Sequence, residues 1–330
     1  MSAGRTLHIA QERWSYKRPF RVSRGADAAL DVILVTLTDP DGLAGRGEAA
    51  GVDYDGETAA RLAAQVEALR APIEAGLDRA ALAARLPAGG ARNALDCALW
   101  DLEAKRAGRR AWQLAGLDGA RSLGTCVTLG IDSEEAVVAG ARMYRDWPLL
   151  KVKVDAQRHL EVLRLVHAAA PQAALIVDPN QSWSCEQLNE LAPELRTLGV
   201  VLIEQPVPRG EDASLRGYRG RIRLAADESL TDRDSLGALQ DIYQVINIKL
   251  DKSGGLTEAL ALAREAIGRG LAVMVGCMAG TSLAMAPGMV VGQLAEFVDL
   301  DGPLLHSADR PSGIAYERGM MQLPAAVLWG

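Results

Sequence analysis

Aromatic side chains are scarce in this chain, with two Phe, six Tyr and six Trp among 330 residues. The tryptophans are scattered, which argues against a platform for stacking nucleic-acid bases and favours packing roles. Cysteine is equally sparse: Cys97, Cys126, Cys185 and Cys277 lie far apart with no CxxC pair, so neither a zinc knuckle nor a redox dithiol is written here. The four histidines, His8, His159, His167 and His306, stand away from the acidic clusters described below. Basic residues are not in excess, since 36 Lys plus Arg against 42 Asp plus Glu give a formal charge of −6, and no global attraction to a phosphate backbone or anionic bilayer follows. No stretch approaches the roughly 18 uninterrupted apolar residues of a membrane helix, and the opening MSAGRTLHIAQERW lacks a signal-peptide core. The expectation is a cytoplasmic protein with a small-molecule partner, no nucleic acid and no membrane; oligomeric state is left open, a homo-oligomer included.

What is present is material for a large core, with 49% hydrophobic and 24% charged residues. The first segment alternates through LHIAQERWSY, crosses the basic loop KRPFRVSRG, and enters the β-branched run DVILVTLTD before the turn Asp39-Pro40-Asp41-Gly42, a pattern of antiparallel strands. Alanine- and leucine-rich helical segments follow, so residues 1–118 read as an α+β unit. From residue 119 the rhythm changes to eight short apolar runs, LGTCVTLG, LLKVKV, ALIVDPN, VVLIEQP, IRLAADE, VINIKL, LAVMVGC and EFVDL, mostly separated by helix-compatible stretches. Near-continuous apolar strands alternating with helices point to a parallel (β/α) barrel over residues 119–304, with an open doubly wound sheet as the alternative. The tail, residues 305–330, is long enough to return to the first segment.

Acids and amides follow these strands directly: Asp178 and Asn180 in VDPN, Glu204 in IEQP, Asp227 and Glu228 in ADES. In a barrel the C-terminal strand ends converge on one mouth, where three such carboxylates make a hard-cation site suited to Mg²⁺. Taken singly, each acid could instead cap a helix. Lys151 and Lys153 alternate on one strand and point to the same face, while Lys249 ends another. They form either a structural salt-bridge network or a pair of bases, with Lys153 and Lys249 on opposite sides of a substrate carbon whose configuration they invert.

At these residues the sequence resembles the enolase superfamily, its muconate-lactonizing branch, and the dipeptide epimerases of the L-Ala-D/L-Glu type. The resemblance implies a modified (β/α)₇β TIM barrel with an α+β N-terminal capping domain completed by the tail. It implies a single Mg²⁺ on Asp178, Glu204 and Asp227, a KxK motif at Lys151 and Lys153, and a second base at Lys249. Asp299 and Asp301 in FVDLDGP are similar to the family's acidic pair for a dipeptide ammonium, with an Asp-Gly turn as the structural alternative. Cys277 and Met278 open a segment similar to the family's, but Gly280 stands where an acid is expected. Arg24, one residue short of the family's offset from Pro19-Phe20, is the candidate for an arginine that in the family reads the side-chain carboxylate of the epimerised residue, with a solvated charge run as the competing reading. The implied activity is inversion of the C-terminal α-carbon of an L,L-dipeptide, in the chemistry of peptidoglycan-derived peptides. N-acylamino-acid racemase, o-succinylbenzoate synthase and muconate-type cycloisomerase chemistry remain compatible with the same residues.

Overall fold

The computed structural model describes residues 4–22, 25–155 and 157–330. Strands β1 (Thr6–Val22), β2 (Gly25–Thr38) and β3 (Ala44–Ala49) form an antiparallel sheet in that order. Along β2, Ile33, Val35 and Leu37 are buried at every second position and meet Leu62, Val66, Leu95 and Leu102 from the helices that follow. Helix Gly90–Ala107 lies directly on β3, and two glycines allow it. A Cβ at Gly45 would stand 2.2 Å from the Ala98 carbonyl oxygen, and one at Gly47 would stand 2.0 Å from that of Ala94.

The basic stretch read above as a loop is strand as far as Val22, because its backbone pairs with β2 at Phe20–Asp27, Arg21–Ala26 and Val22–Gly25 after an irregularity beyond Ser15. Arg24 lies outside the described residues.

A short strand β4 (Leu123–Gly124) leads into eight parallel strands, β5 (Val127–Leu129), β6 (Leu149–Lys153), β7 (Ala174–Asp178), β8 (Val200–Glu204), β9 (Arg223–Ala226), β10 (Val245–Lys249), β11 (Ala272–Gly276) and β12 (Phe297–Val298). Each pairs with the next in chain order. The ends of this curled row meet where the Cys126 N–H donates to the Val298 carbonyl at 3.0 Å. The fold is therefore an α/β modified TIM barrel with a β-sheet capping unit, not an open sheet.

Side-chain alternation divides the strands into two environments. Ile176, Leu202, Ala225, Val245, Met274 and Phe297 form a separate apolar cluster, while Leu150, Val152, Leu175, Val177, Ile203 and Ile246 pack in the larger core with the helices. At roughly 1.5–3 kcal/mol for each fully buried aliphatic side chain, this two-sided burial drives the barrel. It also sets the position of polar groups near the C-terminal strand ends, because Lys153 and Asp178 are partners across β6 and β7.

The tail returns to the N-terminal unit. Strands β13 (Tyr316–Glu317) and β14 (Met320–Met321) join β4 in a small antiparallel sheet. Beyond them, Arg46 Nη2 donates to the Leu328 carbonyl at 2.6 Å and the Gly330 N–H to Asp101 Oδ1 at 2.7 Å. Closer to the barrel mouth, Tyr16 bridges His306, and the Ser307 N–H donates to the Ser15 carbonyl at 2.9 Å. No helix among the described residues is long and apolar enough to cross a membrane.

Candidate active site

The strand ends open into a cavity of about 180 Å³. Its wall includes Lys151, Lys153, Asn180, Asp227, Glu228, Lys249, Cys277, Met278, Asp299 and Asp301 from the barrel. Tyr16 and Tyr54 of the N-terminal segment complete it. Asp178 and Glu204 reach the same centre through Lys151. Three turns at this mouth hold non-glycine residues in the left-handed region, Asn180 (φ 45°), Gln205 (φ 34°) and Ala279 (φ 61°). Such conformations persist only where surrounding contacts hold them.

Lys151 is almost fully buried and sits among three carboxylates, with its Nζ 2.7 Å from Glu204 Oε2, 2.8 Å from Asp299 Oδ2 and 3.2 Å from Asp178 Oδ2. Burial alone would favour the neutral amine, but Asp299, Glu204 and Asp178 outweigh it and hold the ammonium well above the ordinary lysine range. Lys153 Nζ donates to Asp178 Oδ2 at 2.8 Å and to Asn180 Oδ1 at 2.9 Å. Lys249 Nζ donates to Asp227 Oδ2 at 2.7 Å. Burial opposes its charge too, and Asp227 again prevails.

The acids divide in response. Asp178 is drawn down to about 2 by Lys153 and Lys151 against the effect of burial. Asp227 falls well below its usual value, because Lys249 and Lys252 overcome the same penalty. Glu204 is pushed up to about 8, first by burial and then by Asp178 and Asp227, against the pull of Lys151. Asp301 rises to about 7 from burial and the neighbouring Asp299. Its Oδ2 accepts the Thr128 N–H at 2.6 Å, while Asp299 Oδ1 accepts from Cys126 Sγ at 3.2 Å.

Residues outside the sequence-based set complete the arrangement. Lys252 lies three residues beyond Lys249, and its Nζ donates to Asp227 Oδ1 at 2.6 Å and to the Asn247 carbonyl at 3.2 Å. The second lysine of KLDK was a visible signal for it. Asn247 Nδ2 donates to Glu204 Oε1 at 3.0 Å. Gln205 accepts the Asp227 N–H at 2.9 Å and the Ser229 N–H at 3.1 Å, fixing the turn that presents Asp227 and Glu228. Trp183, beside the Asp178 turn, is buried in the core edge-on to His159, a packing role. His306 proves closer to the site than its sequence position implied, buried and stacked on Tyr16 with ring centroids 4.8 Å apart.

Among the described residues, no three acids stand grouped as a bare metal cage, because lysine ammonium groups lie between them. The donor chemistry nevertheless fits a hard divalent cation. Asp178, Glu204 and Asp227 offer oxygen only, and Glu204 is destabilised as an anion by its acidic neighbours. Counted formally, Asp178, Glu204, Asp227, Glu228, Asp299 and Asp301 against Lys151, Lys153, Lys249 and Lys252 leave six negative charges facing four positive ones. A divalent cation held by Asp178, Glu204 and Asp227 would favour the ionised form of Glu204 that burial and the neighbouring acids oppose.

Two family descriptions match: "Mandelate racemase / muconate lactonizing enzyme, N-terminal domain" over residues 4–116 and "Enolase C-terminal domain-like" over residues 134–327. The chain belongs to the enolase superfamily. Within it, this member is 39% identical over 321 residues to the L-Ala-D/L-Glu epimerase of Escherichia coli, covering 97% of this chain and 100% of that one. It is 45% identical over 246 residues to an N-acetyl-D-glutamate racemase of Pseudoalteromonas, covering 74% of this chain and 78% of that one. Among solved structures, an enolase family member from Agrobacterium tumefaciens with homology to dipeptide epimerases, holding sodium and L-Ala-L-Glu, superposes with a TM-score of 0.95. It is 41% identical, over 99% of this chain and 100% of that one. The dipeptide epimerase of Methylococcus capsulatus, complexed with Mg and L-Arg-D-Lys, gives 0.90 at 32% identity, covering 97% of each chain.

Proposed function

We propose that this superfamily member is a Mg²⁺-dependent dipeptide epimerase, inverting the α-carbon of the C-terminal residue of L-Ala-L-Glu or a related L,L-dipeptide. The observation that carries the reading is the pair Lys153 and Lys249, four strands apart in an eight-strand row and facing one cavity walled by Asp299 and Asp301. Relatives and structural neighbours described as dipeptide epimerases support it.

In this reading Asp299 and Asp301 orient the substrate by its ammonium, and the α-carbon lies between the two lysines. One lysine, as the free amine, takes the α-proton on Nζ. The other, as ammonium, returns a proton to the opposite face, so the substrate is inverted and the enzyme's two protonation states exchange. Lys151 keeps its charge throughout and stabilises the negative charge that develops on the substrate's carboxylate oxygens. Asp178, Glu204 and Asp227 would hold Mg²⁺, which when bound supplies Lewis-acid stabilisation of the same charge. Asn180 steadies Lys153, Glu228 borders the metal acids, and Cys277 and Met278 shape the wall. Residues 1–118 with the tail 305–330 act as the cap and residues 119–304 as the catalytic barrel, a division that the tail's bonds to Arg46 and Asp101 support. The four free thiols suit a reducing, cytoplasmic compartment.

A second reading, racemisation of an N-acylated amino acid, is favoured by one observation. Asp301 is raised to about 7, so near neutral pH part of it carries a proton that an acyl oxygen would accept. Proton NMR in D₂O with Mg²⁺ separates the two. Loss of the C-terminal α-proton of an L,L-dipeptide together with formation of the L,D diastereomer is the expected outcome, whereas exchange confined to N-acylamino acids would overturn the dipeptide reading.

A further inference from the structure

Beside the reaction cavity lies a larger groove of about 390 Å³, lined by Leu129, Ile131, Ala136, Val137, Met143 and Leu304, with Lys17, Arg18 and Asp132 at its edge. The two spaces adjoin at Thr128 and Leu305, which line both. Met143 is 71% exposed, so an apolar surface stands open here at a cost that no contact within the described chain offsets. Lys17 is already engaged, its Nζ donating to the Leu304 carbonyl at 2.8 Å.

The connection runs through the acidic pair. Thr128 donates its N–H to Asp301 Oδ2, and its hydroxyl lies 3.4 Å from Asp299 Oδ1. A dipeptide whose ammonium is held by these two acids has no preceding residue, so only the side chain of its first residue can pass Thr128 into the groove. An alanine methyl is too short to use that space. A leucine, methionine or phenylalanine side chain carries its apolar surface into it.

We infer that the substrate is a dipeptide with an extended apolar side chain on its N-terminal residue, seated in the groove beyond Thr128 and Leu305. The inference rests on the dipeptide reading above. In a series L-Xaa-L-Yaa with Yaa fixed at the residue giving the fastest exchange, kcat/KM for Leu or Met at Xaa should exceed that for Ala by about tenfold or more, as added methylenes in an apolar pocket give. Ala136→Trp fills the groove and should reduce that ratio to near one. Ile131→Ala, which removes wall surface without overpacking, should lower it several-fold and decides the matter if Ala136→Trp does not fold. Equal or faster turnover of Ala-Yaa by the parent enzyme, or a ratio unmoved in a folded variant, would overturn the inference while leaving dipeptide epimerisation standing. No exchange with any dipeptide would remove the dipeptide reading itself, and the inference with it.

Discussion

Replacing Glu48 with alanine removes a carboxylate that ties three separated segments together. Glu48 lies on β3 with its side chain fully buried. Its Oε1 accepts the Thr281 N–H at 2.8 Å, and its Oε2 accepts from Arg310 Nε at 2.8 Å and Nη2 at 2.6 Å. Thr281 caps helix Ser282–Gly292 and follows the Cys277–Gly280 segment at the cavity wall, while Arg310 belongs to the tail. Breaking a buried ion pair by deleting one partner costs about 3–5 kcal/mol, because the other charge is left uncompensated. Arg310 retains Glu12 at 2.6 Å, which places the expected loss near the lower end, about 3 kcal/mol. With a urea slope of about 3 kcal/mol per molar, the unfolding midpoint should fall by about 1 M. The assay is urea unfolding followed by circular dichroism and tryptophan fluorescence, read where the two transitions coincide. Arg310→Met completes a double-mutant cycle, and a coupling energy between about 0.5 and 3 kcal/mol is expected. A Glu48→Ala midpoint matching the parent, or strictly additive single variants, would refute the assignment of Glu48 as the link between cap, tail and cavity wall.

Three further outcomes follow from the same geometry. Lys153→Ala and Lys249→Ala should each lower epimerisation by about 10²–10⁴-fold, and turnover in either at the parental rate, measured as diastereomer formation, would sink the two-base scheme. Asp251 is raised from 3.8 to about 6 by burial, so folding is penalised by its ionisation as pH rises from about 4 through 6. Asp251→Asn escapes that penalty and should gain about 2 kcal/mol relative to the parent between pH 4.5 and 7.5; a pH-independent difference in unfolding free energy would contradict it. Gly280→Glu restores the acid that relatives suggest, yet φ is +126° and the new Cβ would lie 2.9 Å from Ala284 Cβ and 3.3 Å from Glu48 Oε1. It should destabilise by about 2 kcal/mol or more, and thermal melting at the parental temperature would show that the turn relaxes.

The barrel was legible because its signal is repeated. Eight apolar runs, six of them ending in acids, amides or lysines, carry period and polarity together, and β5 to β12 fall within them. Lys153, Asp178, Glu204, Asp227 and Lys249 converge for the same reason, since each occupies or follows a strand end, and Lys151 lies two residues before Lys153 on the same face of β6. What stayed hidden depends on contacts between distant segments. Nothing in the sequence around Glu48 says that its carboxylate meets Thr281 and Arg310, and Gln205 reads as a turn residue until its amide is seen holding Asp227 and Ser229. Gly280 stands where the family resemblance implies an acid. The structure shows Glu48 Oε1 close by, so the space is partly taken by a carboxylate from the N-terminal sheet.

The number of partners around each lysine separates their roles. Lys151 has three carboxylates within 3.2 Å and is almost completely enclosed, so losing its proton would leave a cluster of acids without their shared cation. That is the setting of a fixed charge. Lys153 and Lys249 each engage one carboxylate, and their side chains keep 12% and 10% exposure at the cavity. Asp227 is also held from its other oxygen by Lys252, so its position does not depend on Lys249. A proton can therefore leave Lys249 without freeing Asp227. For Lys153 the corresponding support is Lys151, which contacts the same Asp178 oxygen. Each proposed base thus shares its acid with a second lysine that holds the acid in place, and this doubling would let the amine and ammonium of the two-base scheme exchange roles inside a buried ion-pair network without collapsing it.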